Sequence, residues 1–471
     1  MSTSSPRSDT ALRLAERIRA DAPWELFAER SRRFEVHFNG LSVEMVRGPI
    51  LLEGYSVRVL RARDGHTGVG FQASTDLSDE GLRKVTEDAE GLTLFSEFPA
   101  AEVELPGRPT SPLAAVEVLD PDLWDHPGER LLEYVDTLFR TFDGKRDVLP
   151  SFGSVRATLS ETSLANSAGL RSTAAHTTVD LEVAVKAFGG AEGPPPGEYW
   201  VNESTRRLET GSLPGRVEDW CRYARDVRRA SRPPTGELPV LLPASVCQGI
   251  LPIVLGYQFT GSARLLKIAP EAGRRVGTTE LSIYDDGRVP WAIGSSLLDT
   301  EGTPQRRRTL VSNGSVDELM YDSLHAATFH LPPSGNAFRG VSFGFRDWRR
   351  FLHRPTGTTS TTVVAPGSGG SDAELIEAAG EGLWVQQLGW AIPDPISTAF
   401  GGELRIGYRI RGGKLAEPVR GGTVGGVVLS PPGAPSMLSN LAGIGSRPTL
   451  KEDVYMPTLL IRPLTVAGAA D

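Results

Sequence analysis

The residues of this chain that could do chemistry are few and widely spaced. Asp299 and Glu301 form a carboxylate pair of the kind that can serve acid–base catalysis, although the run Asp-Thr-Glu-Gly is better explained as a turn. His325 and His330 lie five residues apart. Five residues of a regular helix turn through about 500°, so two imidazoles at this spacing point apart rather than share a metal ion. We therefore expect two histidines that are hydrogen-bonded separately.

Other reactive side chains lack the neighbours that their chemistry needs. Ser245 has no histidine and aspartate that the sequence could place beside it, so we predict no serine triad. Cys247 lies in an apolar stretch and is expected to be a small buried residue rather than a nucleophile. Arg306, Arg307 and Arg308 could clamp a phosphate or a carboxylate, but a solvated face is the favoured interpretation.

Composition bounds the class of protein. The chain has 471 residues, of which 39% are hydrophobic and 23% charged, as in a water-soluble protein with two or three domains. Its net charge of −8 disfavours a nucleic-acid binder. The two cysteines imply no disulfide framework, and the longest apolar run, residues 250–255, is too short to span a bilayer. We expect a cytoplasmic protein without a signal peptide that binds neither nucleic acid nor a membrane.

The first half of the chain mixes strand and helix signals. Residues 1–10 are polar and rich in serine, so we predict a disordered tail. Alternating apolar residues flank the turn at 63–66 and predict a hairpin, while Ser78 is placed to cap a helix. A strong amphipathic helix is predicted over 131–142. Because no βαβ rhythm is present, residues 11–230 are predicted to form a lobe of helices and antiparallel sheet.

The second half reads as strands and turns. The run Arg-Pro-Pro-Thr-Gly at 232–236 marks the predicted boundary, and residues 231–471 are predicted to form a β-rich lobe. A helix is predicted over 244–259, interrupted at Pro252. In the segment 401–415, apolar residues alternate with polar ones before a Gly-Gly reversal, which predicts a hairpin. The predicted fold class is therefore α+β, with two lobes.

Several segments, taken in order, resemble those of the TldD/PmbA family of peptidase subunits. They are the N-terminal runs 54–59 and 68–71, the turn at 166–169, the Asp-x-Glu-Gly run at 299–302, the glycine-rich hairpin at 401–415, and the C-terminal segment 464–468. Each motif is weak alone, but the series extends from about residue 30 to residue 468. The resemblance implies the two-lobed fold of that family.

The family contains two kinds of subunit, which differ in a metal site. The catalytic kind carries H-E-x-x-x-H, in which the two histidines hold zinc and the glutamate activates a metal-bound water. By resemblance, the corresponding positions here are Pro252, Ile253 and Tyr257, and none can take the role of ligand or base. Catalytic subunits also supply a late-chain cysteine to the metal, whereas both cysteines here precede residue 250. The resemblance thus implies the metal-free, TldE/PmbA-type subunit, with no catalytic or metal-ligating residue.

The resemblance also implies a function. The chain would be the non-catalytic subunit of a heterodimeric zinc metallopeptidase, with a TldD-like partner supplying the metal and an extended peptide as substrate, bound by strand addition. Gln258, Asp299 and Glu301 are the candidates for residues that face the cleft or the partner. Two alternatives stay open: a component of a natural-product biosynthetic peptidase or amide hydrolase, and a non-enzymatic regulator that acts through protein contacts. The sequence does not distinguish a homodimer from a heterodimer.

Overall fold

The computed structural model describes residues 9–100, 102–189, 195–342 and 345–468. Most of the predicted tail, residues 1–8, lies outside the described residues, whereas Asp9 and Thr10 belong to the first helix. The helices are α1 Asp9–Arg17, α2 Asp79–Leu92, α3 Pro121–Asp125, α4 Pro127–Arg140, α5 Leu213–Arg229, α6 Ala244–Cys247, α7 Leu251–Gln258, α8 Gly261–Leu265, α9 Ser323–Thr328 and α10 Asp372–Ala379, with a 3-10 turn at Arg350–Leu352.

The strands are shorter and more numerous in the second half of the chain. They are β1 Trp24–Asn39, β2 Ser42–Arg63, β3 His66–Ser74, β4 Val148–Asn166, β5 Arg171–Ala187, β6 Gly197–Thr205, β7 Gly236–Leu242, β8 Ile283–Asp286, β9 Arg307–Ser312, β10 Ser315–Val316, β11 Ala337–Phe338, β12 Val341–Ser342, β13 Phe345–Arg346, β14 Thr356–Gly357, β15 Thr362–Val364, β16 Gly382–Gly389, β17 Ala399–Arg411, β18 Lys414–Val419, β19 Thr423–Val427, β20 Leu441–Ile444, β21 Thr449–Lys451, β22 Val454–Met456 and β23 Leu459–Ala467.

An antiparallel six-stranded sheet organises the N-terminal lobe, in the order β3-β2-β1-β4-β5-β6. The predicted hairpin is confirmed, because β2 and β3 pair from Tyr55 opposite Ser74 to Arg63 opposite His66. Side chains of successive strand residues point to opposite faces. One face of this sheet is apolar and packs against α3, α4 and α5, and the other face carries polar side chains towards the C-terminal lobe.

Local sequence signals set where α2 and α4 begin. Ser78 caps α2 as predicted, since its side-chain oxygen accepts a hydrogen bond from the Gly81 amide at 3.0 Å. The buried face of α2 carries Leu82, Val85 and Ala89. Helix α4 begins at Pro127, earlier than the sequence predicted, because proline is favoured in the first turn of a helix.

Two sheets build the C-terminal lobe and enclose its apolar core. One has the order β16-β7-β23-β19-β17-β18, with β20 beside β23, and an additional pairing of β16 with β17 closes it on itself. The other has the order β10-β9-β8-β15-β22-β21. The predicted hairpin of β17 and β18 is confirmed, and Gly412 and Gly413 turn the chain with φ values of 52° and 71°. The fold is therefore α+β with two lobes, as predicted.

The predicted helix over 244–259 is wrong in one respect. The structure has two helices, α6 and α7, and the break falls at residues 248–250 rather than at Pro252. Pro252 lies in the first turn of α7. The backbone N–H groups of a first turn have no acceptor within the helix, so a proline there costs no helical hydrogen bond. Among the described residues, no helix combines the length and apolar character needed to cross a bilayer.

Candidate functional site

A cavity of about 550 Å³ opens where α7 faces the N-terminal lobe, and we name it the α7 cavity. Pro252, Ile253 and Tyr257, the three positions that the resemblance aligned with the family's metal motif, all line it. The rest of the lining mixes apolar and polar residues. It includes Val69, Phe98, Leu324, Val341 and Pro395, together with Arg58, Asp322, His325 and Arg354.

The residues at these three positions do not fit a zinc ion. Pro252 and Ile253 offer no lone pair, and a single neutral tyrosine such as Tyr257 is a poor zinc ligand. Nowhere in the described parts of the chain do three or more His, Cys, Asp or Glu side chains cluster in a way that could hold a metal ion. Cys247 is fully buried, as predicted, and burial raises the pKa of its thiol to about 12.

His325 is the imidazole that lines the α7 cavity. Its Nδ1 lies 2.8 Å from both carboxylate oxygens of Asp322, the residue that caps α9. Burial opposes ionisation of Asp322, but the hydrogen bonds and charge of His325 outweigh it and lower the pKa of the carboxyl. An ionised Asp322 keeps a proton on Nδ1 of His325, so in the neutral ring Nε2 is the nitrogen that can accept a hydrogen bond.

His330 lies apart from this pair. It follows the end of α9, is exposed, and has a φ of 54°. The prediction that the two histidines share no site agrees with this placement, although only His325 has a side-chain hydrogen bond among the described residues.

A buried charge network joins the two lobes behind the cavity. Arg58 of β2 donates hydrogen bonds to Glu25 at 2.9 Å and to Glu301 at 2.6 Å. Arg339 also pairs with Glu25, and all four side chains are buried. The second oxygen of Glu301 accepts hydrogen bonds from the amide and hydroxyl of Ser323 at 2.8 and 2.7 Å. Because Glu25 and Arg58 belong to the N-terminal lobe, this network holds that lobe against the C-terminal one.

Asp299 and Glu301 do not line the cavity, although the sequence made them candidates for the cleft or partner surface. Asp299 accepts backbone N–H bonds from Glu301, Thr303 and Ala337 at 2.9 to 3.0 Å, which fixes the turn. Both carboxyl groups are buried, and burial raises the pKa of each, with the charge of Glu301 adding to the effect on Asp299. Their role in this structure is to hold the turn and the lobes.

Gln258 is buried but acts on the cavity through a loop. Its side-chain nitrogen donates to the carbonyl oxygens of Pro395 at 2.6 Å and Ile396 at 3.2 Å. Pro395 lines the cavity, and the same loop, residues 390–397, exposes 73% of Trp390 and 62% of Ile396. Gln258 therefore fixes an apolar loop at the cavity mouth rather than facing the cleft itself.

The arginine run was predicted to be a solvated face, and this is wrong for Arg308. Arg308 is buried in β9, where it pairs with Glu318 and donates to the Ser334 carbonyl at 3.3 Å. Arg307 is exposed and lies 3.8 Å from the centre of the Tyr284 ring. Strand alternation separates the neighbouring side chains, so the run forms no anion clamp.

A comparison with known families identifies the C-terminal domain. Residues 235–468 match the model described as the PmbA/TldA metallopeptidase C-terminal domain. This chain carries a PmbA/TldD-family domain. Among curated relatives, the "Metalloprotease TldD homolog" of Haemophilus influenzae is 25% identical over 246 residues, which is 50% of this chain and 49% of the relative. The "Zinc metalloprotease TldD homolog" of Saccharolobus solfataricus is 27% identical over 224 residues, 46% of this chain and 47% of the relative.

The aligned region spans about half the length of these curated relatives. Solved structures share the fold over nearly the whole chain. TldE from Thermococcus kodakarensis has a TM-score of 0.76 at 16% identity, covering 98% of this chain and 100% of that one. A protein from Thermotoga maritima, described as a modulator of a DNA gyrase, has a TM-score of 0.79 at 17% identity, with coverage of 98% and 99%. The two-lobed PmbA/TldD fold thus extends beyond the matched C-terminal domain.

Sequence reasoning missed several residues of the site. Arg58 carries no local signal, because its partner Glu301 is distant in the sequence, whereas Asp322 had the local signal of a helix cap three residues before His325. The loop 390–397 had a signal that went unused: Trp, two Ile and two Pro in eight residues is unusual for a solvated loop.

Proposed function

We propose that this chain is the non-catalytic subunit of a heterodimeric TldD/TldE-like zinc metallopeptidase, in which a TldD-like partner holds the metal. The observation that carries the proposal is the chemistry of Pro252, Ile253 and Tyr257. They line one cavity at the position of the family's metal motif, and they supply neither ligand nor general base. The relatives' names as metalloproteases support a peptidase context, and the likeness to a TldE supports the fold of the metal-free kind.

In this proposal the chain helps to position substrate. The α7 cavity has an apolar stretch at Pro252 and Ile253, and Arg354 at its lining has no ion-pair partner among the described residues. An extended peptide laid between the subunits would place an apolar side chain against Pro252 and Ile253. The Nε2 atom of His325 would accept a hydrogen bond from a peptide N–H. The partner's metal site would then act on the adjacent peptide bond.

Co-purification tests the proposal. The tagged chain is co-expressed with a TldD-like chain, and hydrolysis of an unstructured peptide is measured for each chain alone and for the mixture. We expect a stable complex and hydrolysis that needs both chains and is lost with a chelator. A variant of the TldD-like chain with its motif glutamate changed to glutamine is the matched control, since it should keep the complex and lose hydrolysis. Peptidase activity of this chain alone, or no complex at micromolar concentration, would overturn the proposal.

A further inference from the structure

A second cavity, of about 460 Å³, shares Ile253 and Val341 with the α7 cavity, and we name it the sheet-face cavity. Its floor is the polar face of the N-terminal sheet, and its other walls come from the C-terminal lobe. The floor includes Glu29, Arg33, Thr158, Asp180 and Ser204. Such a volume is in the ordinary range of small-molecule sites.

Most charged groups of this cavity are already neutralised within the protein. Arg350 donates to Glu29 at 2.7 and 2.8 Å, and Arg346 donates to Asp453 at 2.8 Å. Arg339 is held by Glu25 in the buried network described above. Because these charges are paired within the protein, they interact only weakly with a charged ligand.

Two arginines of the cavity have no carboxylate partner among the described residues. Arg33 stacks on Trp348, 3.9 Å from the ring centre, and its Nε donates to Thr158 at 3.1 Å. No residue of the described chain accepts a hydrogen bond from its two terminal nitrogens. Arg206 donates only to backbone carbonyls and to a threonine hydroxyl, and burial together with Arg346 and Arg350 lowers its pKa to about 9. Carboxylates of Asp180, Glu35 and Asp347 act on the charge of Arg33 from a distance, but its terminal nitrogens are donors still free to bind a ligand in the cavity.

Two acceptors in the same cavity, Glu452 and Gln248, have no hydrogen-bonded cation among the described residues, although the charge of Arg346 also acts on Glu452. Glu452 has one hydrogen-bond donor, the Ser204 amide at 3.3 Å, and burial together with Asp453 raises its pKa to about 7. The side-chain oxygen of Gln248 is buried without a hydrogen-bond partner. Buried polar groups are normally paired, so an unpaired one beside a cavity indicates a ligand that donates hydrogen bonds.

We propose that the sheet-face cavity binds a zwitterionic peptide of dipeptide size, with its carboxylate on Arg33 and its ammonium group on Glu452 and Gln248. A simple anion would leave Glu452 and Gln248 unpaired, and a simple cation would leave Arg33 unpaired. A polyanion such as a nucleotide would meet Asp180 and Glu452, which line the cavity without an ion pair among the described residues. The inference concerns this chain alone and holds whether or not it has a metallopeptidase partner.

Calorimetric titration of the full-length chain tests the inference. The probes are alanyl-leucine, N-acetyl-alanyl-leucine, alanyl-leucinamide and free leucine. We expect saturable binding of alanyl-leucine, and about 10- to 100-fold weaker binding when either end is blocked, since each block removes a charged hydrogen bond. Leucine that binds as tightly as alanyl-leucine, or blocked dipeptides that bind equally well, would overturn the inference.

Arg33→Gln has a matched control one residue away. Arg32 lies on the opposite face of the same strand and stacks on Trp124, with its guanidinium 5.2 Å from the ring centre. We expect Arg33→Gln to weaken alanyl-leucine binding about 10-fold or more and Arg32→Gln to leave it unchanged.

Glu452→Gln keeps the shape of the side chain and tests the other end of the ligand. It should weaken the binding of alanyl-leucine but not the binding of N-acetyl-alanyl-leucine, which has no ammonium group. Equal losses in the Arg32 and Arg33 variants would contradict the site. Such a result would not affect co-purification with a TldD-like chain. Failure of the dipeptide site can therefore be distinguished from failure of the proposed peptidase-subunit function.

Discussion

Replacing Arg58 by methionine should destabilise the protein strongly. Arg58 is 1% exposed and bridges Glu25 and Glu301, both fully buried. Removing one partner of a buried ion pair typically costs about 3–5 kcal/mol, because the remaining charge is left in a medium that solvates it poorly. Glu25 keeps Arg339, so the loss should come mainly from Glu301.

The loss of stability caused by Arg58→Met should be larger at high pH than at low pH. Burial already raises the pKa of Glu301 while Arg58 is present, and removing Arg58 raises it further. A carboxyl whose pKa is higher in the folded state than in the unfolded state favours folding at low pH, and that contribution is lost as the pH rises. The free energy of unfolding of Arg58→Met should therefore lie closer to that of the wild type at pH 5 than at pH 8.

Urea unfolding followed by circular dichroism at both pH values is the assay. Arg83→Met is the matched control, because Arg83 pairs with Glu80 and Glu87 on the exposed surface of α2, where such pairs contribute about 0–1 kcal/mol. The double variant Arg58→Met, Glu301→Gln should recover part of the loss. A loss below about 1 kcal/mol, or one that is equal at pH 5 and pH 8, would refute the assignment of a buried charge network.

Three further changes have expected outcomes. Gln258→Leu removes two hydrogen bonds to the loop 390–397, so chymotrypsin should cut that loop faster, with a stability loss of about 1–3 kcal/mol in urea; unchanged cleavage would contradict the contact. Wild-type stability should fall as the pH rises from about 4.5 to about 7 because Glu452 keeps its proton in the folded state, and Glu452→Gln should remove about 3 kcal/mol of that fall; parallel pH curves would contradict it. Gly256→Ala puts a Cβ against the side chain of Thr358 and should lower the free energy of unfolding by about 1–3 kcal/mol. Gly91→Ala, whose Cβ would lie in open space, should not destabilise the protein, and equal thermal midpoints for the two variants would contradict this.

The parts of the fold that the sequence predicted are those that local chemistry decides. Ser78 caps α2 through a bond to a residue three positions on, and Gly412 and Gly413 turn the chain between adjacent strands. Such features need only a few neighbouring residues. The same reasoning placed the helix break at Pro252 instead of at residues 248–250. A proline is consistent both with an interrupted helix and with the start of a new one.

The candidate site was predictable only in part. The resemblance singled out Pro252, Ile253 and Tyr257, and all three line one cavity. The contacts that shape the site join residues far apart in the chain: Arg58 and Glu301 are separated by 243 positions, and Gln258 and Pro395 by 137. Pairing over such distances is set by the packing of the two lobes, and no periodicity or spacing in the sequence encodes it.

The zinc content of the purified chain, measured with and without a TldD-like partner by elemental analysis after dialysis, tests the central claim most directly. The account predicts no stoichiometric zinc in the chain alone and zinc in the complex that depends on the partner's own metal motif. About one tightly held zinc ion in each isolated chain, together with peptide hydrolysis that a chelator abolishes, would contradict it.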